Sequence, residues 1–353
     1  MKTLITSDLH LGAKRSGGTT LTSAEELKGY LQLAFRTLIM QHTDKHLVIN
    51  GDLLDAFQAE PLDIMNCFNT MGDWLALSQG NLTLIAGNHD CQPRGVKVSS
   101  FHLLCHFLTA QHKDRVTVID WDAGFTEIRP GLYVIPHMQN QDLFNAEIEK
   151  AIESGSEGHL LLHCNYCNPF AEQADHSLNL NHEQTVRLTQ QFTLVLGHEH
   201  QRRVGFEGLV QLVGNPFPSS IADCLSSPVG QQDGRKYAVV LGSELEFIET
   251  WNSKADYTAI DWRDLGPTEA KFIRVGGDAT ADEAAAVVNA IAKYRQSSLA
   301  FIVSNAVRVE GCPTMEGLAE TSAEAIKSFD VLQVLLQELT SEEAAFVKEL
   351  INA

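Results

Sequence analysis

The chain has 353 residues, 44% hydrophobic and 20% charged, with a formal net charge of −19. That length supports a large core and more than one domain, and the balance is ordinary for a globular protein. The charge argues against a surface broadly attractive to nucleic acid or anionic membrane, although bound metal ions can supply a local positive field.

The opening MKTLITSDLHLG carries one lysine and a short apolar run broken at Asp8. It reads as a first strand rather than a signal peptide, so a cytoplasmic location is expected. Apolar runs bounded by turn residues predict further strands at 46–49, 82–86, 115–119, 132–135, 160–162, 193–196, 210–213, 237–241 and 245–250. Amphipathic stretches predict helices over 21–41, 61–77, 99–110, 141–154 and 182–189. Early strands alternate with helices and later ones follow closely, the pattern of a mixed α/β layered domain. Gly266-Pro267 marks a boundary, giving a catalytic domain over 1–265.

Beyond the boundary, 271–275 reads as a strand. Thr280-x-x-Glu283 has capping-box spacing and opens a helix to about Tyr294, and 299–309 reads as another strand. This makes a small α/β cap over 266–312. In the tail, 313–353, Ala325, Phe329, Leu332, Leu336 and Leu339 keep helical spacing. A second capping box, Thr340-x-x-Glu343, precedes Phe346, Val347, Leu350 and Ile351 on one face. Two amphipathic helices follow, which either pack on the body or dock a partner. No apolar run is long enough to cross a bilayer, so no membrane association is expected.

The seven cysteines, an odd number, fit reduced thiols. Cys164-x-x-Cys167 has metal or redox spacing, but no second CxxC completes a zinc site.

Five predicted strands lead into residues that bind metals. They are Asp8 and His10, then Asp52 and Asp55, then Asn88 and His89, then His163, then His198 and His200. In α/β sheets, sites form beyond the carboxyl ends of strands, so neighbouring strands bring such residues to one spot. Residues two apart in an extended segment point to one side, which would pair Asp8 with His10 and His198 with His200. Gly51, Gly87 and Gly197 precede ligands and permit tight turns. Each piece alone has a plain reading as turn chemistry or a core histidine; the ordered set does not. Mixed oxygen and nitrogen donors suit Mn, Fe or Zn better than Mg or Ca. The donors are too many for one tetrahedral site and suit two metals sharing a carboxylate, about 3.5–4 Å apart. Lys14-Arg15, Arg94 and Arg202-Arg203 flank these loops. They are either phosphate contacts or solvated loop charges.

The set Asp8-Leu-His10, Gly51-Asp52-x-x-Asp55, Gly87-Asn88-His89-Asp90, His163 and Gly197-His198-Glu199-His200 resembles the calcineurin-like metallophosphoesterase superfamily. The resemblance implies a four-layer α/β/β/α sandwich with two divalent metal ions, Mn2+ first, with Fe, Zn or Mg as alternatives. It implies Asp8, His10, Asp52 and His200 on one metal, and Asp52, Asn88, His163 and His198 on the other. A hydroxide between the metals would be the nucleophile. His89 would be the general acid, with Asp55 accepting its second ring N–H.

Ala56 after Asp55 and Asp90 after His89 depart from the protein serine/threonine phosphatase pattern. Ser7–Gly12, Leu196–Gln201 and 212–220 are more similar to the SbcD-type nuclease subunit of DNA double-strand-break processing, although Asn215 stands where that family more often has Ser. This similarity implies DNA exonuclease or endonuclease activity in DNA repair and an SbcC-like ATPase partner held by the C-terminal helices. A homodimer is also open. The other reading is a stand-alone phosphoesterase acting on nucleotides or small phosphate esters.

Overall fold

In a computed structural model that describes residues 1–13, 20–91, 98–168, 178–218, 235–252 and 256–310, the first predicted strand is β1 (Thr3–Thr6), inside a six-stranded sheet. It runs parallel to β2 (His46–Asn50), which continues to β3 (Leu82–Ile85) and β4 (Val116–Ile119). The crossovers are α1 (Leu21–Met40), α2 (Pro61–Leu77) and α3 (Ser100–Gln111). Thr20 and Ser99 start α1 and α3 by accepting main-chain N–H bonds from Ser23 and His102, while α2 opens on Pro61, whose missing N–H costs nothing there.

The second sheet is built from β5 (Thr126–Arg129), β6 (Leu132–Ile135), β7 (Gly158–His163), β10 (Phe192–Gly197), β11 (Arg203–Gly205) and β12 (Val210–Leu212), in the order β11-β12-β10-β7-β6-β5. A short pair, β8 (Asn165–Tyr166) and β9 (Asn179–Leu180), bridges it, and α4 (Gln141–Glu153) and α5 (His182–Leu188) cover it. Then β13 (Arg235–Leu241) and β14 (Leu245–Asn252) return antiparallel to the first sheet beside β1.

The two sheets face each other across Ile5, Val48 and Ile85 on one side and Val134, Leu161 and Val195 on the other. Outside, Leu31, Phe35, Trp74 and Leu104 seal α1–α3 to the first sheet, and Phe144, Ile148 and Leu188 seal α4 and α5 to the second. Each fully buried aliphatic or aromatic side chain contributes about 1.5–3 kcal/mol. The result is the expected α/β/β/α sandwich.

A smaller parallel sheet joins β15 (Tyr257–Asp261), β16 (Phe272–Gly276) and β18 (Phe301–Asn305), with α6 (Ala284–Ser297) on one face and a core of Trp262, Ile273, Ile291 and Ile302. A two-residue pair, β17 (Asp278–Ala279) with β19 (Arg308–Val309), extends it. Its first strand therefore lies upstream of the boundary read at Gly266-Pro267. The run 299–309, expected as one strand, is divided. Asn305 Oδ1 accepts the main-chain N–H of Val307 at 3.2 Å, turning the chain from β18, paired with β16, into β19, paired with β17. The other face of this sheet lies on α1. Tyr30 packs edge-on against Phe272 and Tyr257, donates to Asp256 Oδ2 at 2.5 Å and accepts from Trp251 Nε1 at 2.6 Å.

Among the described residues, no helix is long and apolar enough to cross a membrane. The tail 313–353, with its predicted partner-docking helices, lies outside the described residues, as do Lys14, Arg15 and Arg94.

Candidate metal centre

The carboxyl ends of β1, β2, β3, β7 and β10 meet at one rim, and hydrogen bonds stitch the two sheets together there. Asn50, closing β2, donates Nδ2–H to the Leu162 oxygen of β7 at 2.9 Å. Its own main-chain oxygen accepts from Ser7 Oγ at 2.6 Å and from His163 Nδ1 at 2.8 Å. Because a carbonyl only accepts, His163 Nδ1 carries a proton and Nε2 is the nitrogen aimed at the rim.

The Asp8–His10 segment is not extended, contrary to expectation. Asp8 has φ 55°, His10 44°, Asp52 52° and His198 86°. Left-handed backbone at a non-glycine residue costs about 1–2 kcal/mol. Here it falls on four candidate ligands, as strain does at functional sites. Two interlocked loops hold the strain, with His10 N–H bonded to Asp52 O at 3.0 Å and Leu11 N–H to Leu53 O at 3.0 Å. Gly51 and Gly87 make the loops possible. A Cβ on Gly51, itself at φ 88°, would overlap the His163 ring, and one on Gly87 would overlap Asp52.

Three donor clusters result. Asp8, His10 and His200 offer ligand atoms within 4.8 Å of one another, and so do Asp52, His163 and His198, and His10, Asp52 and His89. Asn88 Oδ1 joins the second, 3.1 Å from His163 Nε2 and 2.9 Å from His198 Nδ1. Asp52 Oδ2 lies between them, 3.6 Å from His10 Nε2 and 3.5 Å from His163 Nε2. Asp8 also accepts the main-chain N–H of His198 through both carboxylate oxygens, at 3.1 and 2.9 Å.

The donor set fits divalent metals. Asp8 and Asp52 are buried, and their side-chain ion partners among the described residues are imidazoles. Buried carboxylates without a strong counter-ion call for a cation. His10 Nδ1 lies 3.3 Å from Asp55 Oδ1 with no hydrogen bond between them, and its Nε2 faces His200 Nε2 at 3.0 Å. Two such nitrogens face each other comfortably only across a proton or a metal. Titration reflects the crowding. Burial disfavours the charged form of Asp52, yet His163, His10 and His89 outweigh it and hold the carboxyl well below its usual range. Burial likewise opposes protonation of His163, but Asp52 and Asp8 push it up to about 9. A metal that neutralises the carboxylates removes that pull.

His89 shares the third cluster with His10 and Asp52. Its main-chain N–H donates to Asp52 Oδ1 at 2.9 Å, and its ring Nε2 is 4.0 Å from Asp52 Oδ2. Its Nδ1 lies 2.6 Å from Asp55, but the acceptor is the main-chain oxygen of Asp55, not the carboxylate expected from the sequence. The carboxylate faces His10 instead. Asp55 thus orients His89 through its main-chain oxygen and sets its carboxylate beside His10.

Sequence reasoning missed Asp90. Its Oδ2 accepts the N–H of Asp52 at 3.0 Å and of Gly87 at 2.9 Å, fastening one ligand loop to the other. Burial and the nearby Asp52 push its carboxyl up to about 7. No spacing rule singles it out, because its role depends on two loops meeting.

The basic candidates fare differently. Arg203 grips Glu199 with Nε and a terminal nitrogen at 2.9 and 2.7 Å and donates to Tyr166 O at 3.0 Å. Arg202 lies over the Phe247 and Tyr237 rings, 4.1 and 4.9 Å from their centroids.

An α/β/β/α sandwich with imidazole and carboxylate clusters sharing one aspartate at its strand ends defines a metal-dependent phosphoesterase. The profile described as Calcineurin-like phosphoesterase matches residues 1–202, more than half of the chain, and the chain belongs to that family. No curated protein sequence matches it. Among solved structures it is similar to a dimetal phosphatase from Danio rerio, at 10% identity and a TM-score of 0.34, over 71% of this chain and 97% of that one.

Proposed function

We propose that this chain is a two-metal phosphodiesterase that cleaves DNA strands, of the SbcD type. The reading rests first on Asp52, whose Oδ2 stands between His10 and His163 where a carboxylate shared by two ions belongs. Asp8, His10 and His200 would complete one ion's shell, and Asn88, His163 and His198 the other's. Bound there, the ions would neutralise phosphate charge and bring the pKa of water toward neutrality.

The chain's own residues do the rest. The main-chain oxygens of Asn50 and Asp55 fix the tautomers of His163 and His89. His89, with Nδ1–H committed to the Asp55 oxygen, presents Nε2 to the leaving oxygen and delivers a proton there. Asp90 holds the two loops in register. The DNA preference is supported by the ordered motifs through Gln201 and the 212–220 stretch. The ATPase partner belongs to the same reading, with the tail as its dock.

One observation favours a second reading, a phosphoesterase for nucleotides or small esters. Glu199 neutralises Arg203, which removes a cation expected on the rim. Manganese-loaded protein assayed on linear DNA, on nucleotides and on bis-p-nitrophenyl phosphate separates the two. DNA cleavage that disappears on chelation supports the nuclease. Turnover of the small esters with intact DNA, with or without an ATPase partner, overturns it.

A further inference from the structure

The strands that carry the candidate metal centre at one end also make a second cavity at the other. About 590 Å3 opens between Thr3 and Leu241 of the first sheet and Leu132 of the second. Thr3 and Leu132 begin β1 and β6, so this is the amino-end mouth of the sandwich. Its floor is the end of the inter-sheet core, in which Leu132 is buried and against which Leu241 packs. Lys2 and Arg129 stand on the rim beside Met1, and among the described residues no carboxylate lines it, on a chain of net charge −19.

The two cations are not equivalent. Lys2 is exposed and reaches Glu246 only at 3.7 Å. Arg129 is half-buried, its Nε is shielded from solvent with no acceptor, and among the described residues it has no carboxylate partner. Burial pulls its pKa down from the ordinary value. A desolvated cation without a partner is costly, and it points to an anion that arrives from outside.

We propose that this cavity binds a small amphipathic anion: a carboxylate on an aliphatic or aromatic body. The planar guanidinium fork of Arg129 matches a carboxylate bidentately. Pro130, Leu132 and Leu241 give the body an apolar seat, and the volume is that of a small-molecule site. One half-buried fork gives a single bidentate seat, which suits one carboxylate. The site lies away from the phosphoesterase rim and does not depend on how that rim is read.

The test is calorimetric titration of the full chain with octanoate and with its neutral counterpart, octanamide. Octanoate is expected to bind one to one and to raise the melting temperature. Arg129→Gln should weaken it at least tenfold, Arg129→Lys by less, and octanamide should bind at least tenfold more weakly than octanoate. Without ligand, Arg129→Gln should melt no lower than the parent, because it removes an unpaired desolvated charge. The proposal is overturned if the parent binds neither octanoate nor 4-phenylbutyrate at millimolar concentration. Equal binding by parent and Arg129→Gln, or of octanoate and octanamide, also overturns it. Should Arg129→Gln fail to fold, Arg129→Lys and the octanamide comparison decide.

Discussion

His163 of the second sheet holds its Nδ1 2.8 Å from the main-chain oxygen of Asn50 in the first. The bond crosses the sandwich, and it aims Nε2 at Asp52 and Asn88. A ring fixed this way needs no rearrangement to hold a metal. His163→Ala should therefore lower bound manganese from two ions per chain to one or none, measured by elemental analysis after gel filtration. Phosphodiesterase turnover should fall by more than the about 10–100-fold that loss of an outer-shell partner costs. Retention of two ions at parental affinity would refute the assignment.

His89 reaches the centre through Asp52 but is positioned by Asp55, so its loss should separate chemistry from metal binding. His89→Asn is expected to keep both ions and lose turnover by about 10²–10⁴-fold on substrates with a poor leaving group. With p-nitrophenolate leaving, which needs no proton, the loss should shrink to less than about tenfold. An equal loss on both substrates would rule out proton delivery to the leaving oxygen.

The strand-end ligands were legible because each follows an apolar run, and because two sheets of parallel strands bring such ends to one rim. What spacing could not convey is how the side chains are aimed. Asp8, His10 and His198 take left-handed backbone rather than extended backbone. Their direction comes from loop-to-loop bonds that join residues about 40 apart, such as His10 to Asp52. Asp55 splits its work between carbonyl and carboxylate for the same reason. The strand Tyr257–Asp261 escaped notice because its partner, Phe272–Gly276, lies beyond a proline-containing loop, and its packing against Tyr30 is visible only in three dimensions. The Glu199–Arg203 pair, four residues apart, carried a readable charge signal. Its meaning as a neutralised rim cation required the geometry.

Gly87 and Asp90 both lie against Asp52, the aspartate proposed to be shared by two ions. Asp90→Ala leaves the N–H groups of Asp52 and Gly87 buried without their acceptor, which should cost about 2–4 kcal/mol in urea unfolding of the chelated protein. Asp90→Asn keeps one acceptor oxygen and should cost less. Gly87→Ala drives a Cβ into Asp52 and should abolish two-ion binding while the far-ultraviolet circular dichroism stays parental. Parental metal stoichiometry in Gly87→Ala would show that the loop relaxes freely, against the tight fit described.

His102 and Asp120 form a separate pair, Nε2 to Oδ2 at 2.6 Å, with His102 Nδ1 also 2.6 Å from Ser99 Oγ at the start of α3. The bond to Asp120 raises His102 above 6.5 against its partial burial. Asp120, which burial alone would raise, is instead held below 3.8 by His102 and by the N–H of Trp121. The raised histidine contributes stability that is complete below pH 6.5 and is lost as pH climbs through its higher folded value. The depressed aspartate contributes stability that is complete above pH 3.8 and is lost as pH falls through its lower folded value. The pair therefore acts fully between those two unfolded-state values. His102→Gln should destabilise the protein by about 1 kcal/mol near pH 5–6, and the difference from the parent should narrow as pH rises above 6.5. Urea midpoints taken across that range for both proteins read the effect directly. A gap that stays constant with pH would mean that the imidazole packs there without carrying its charge.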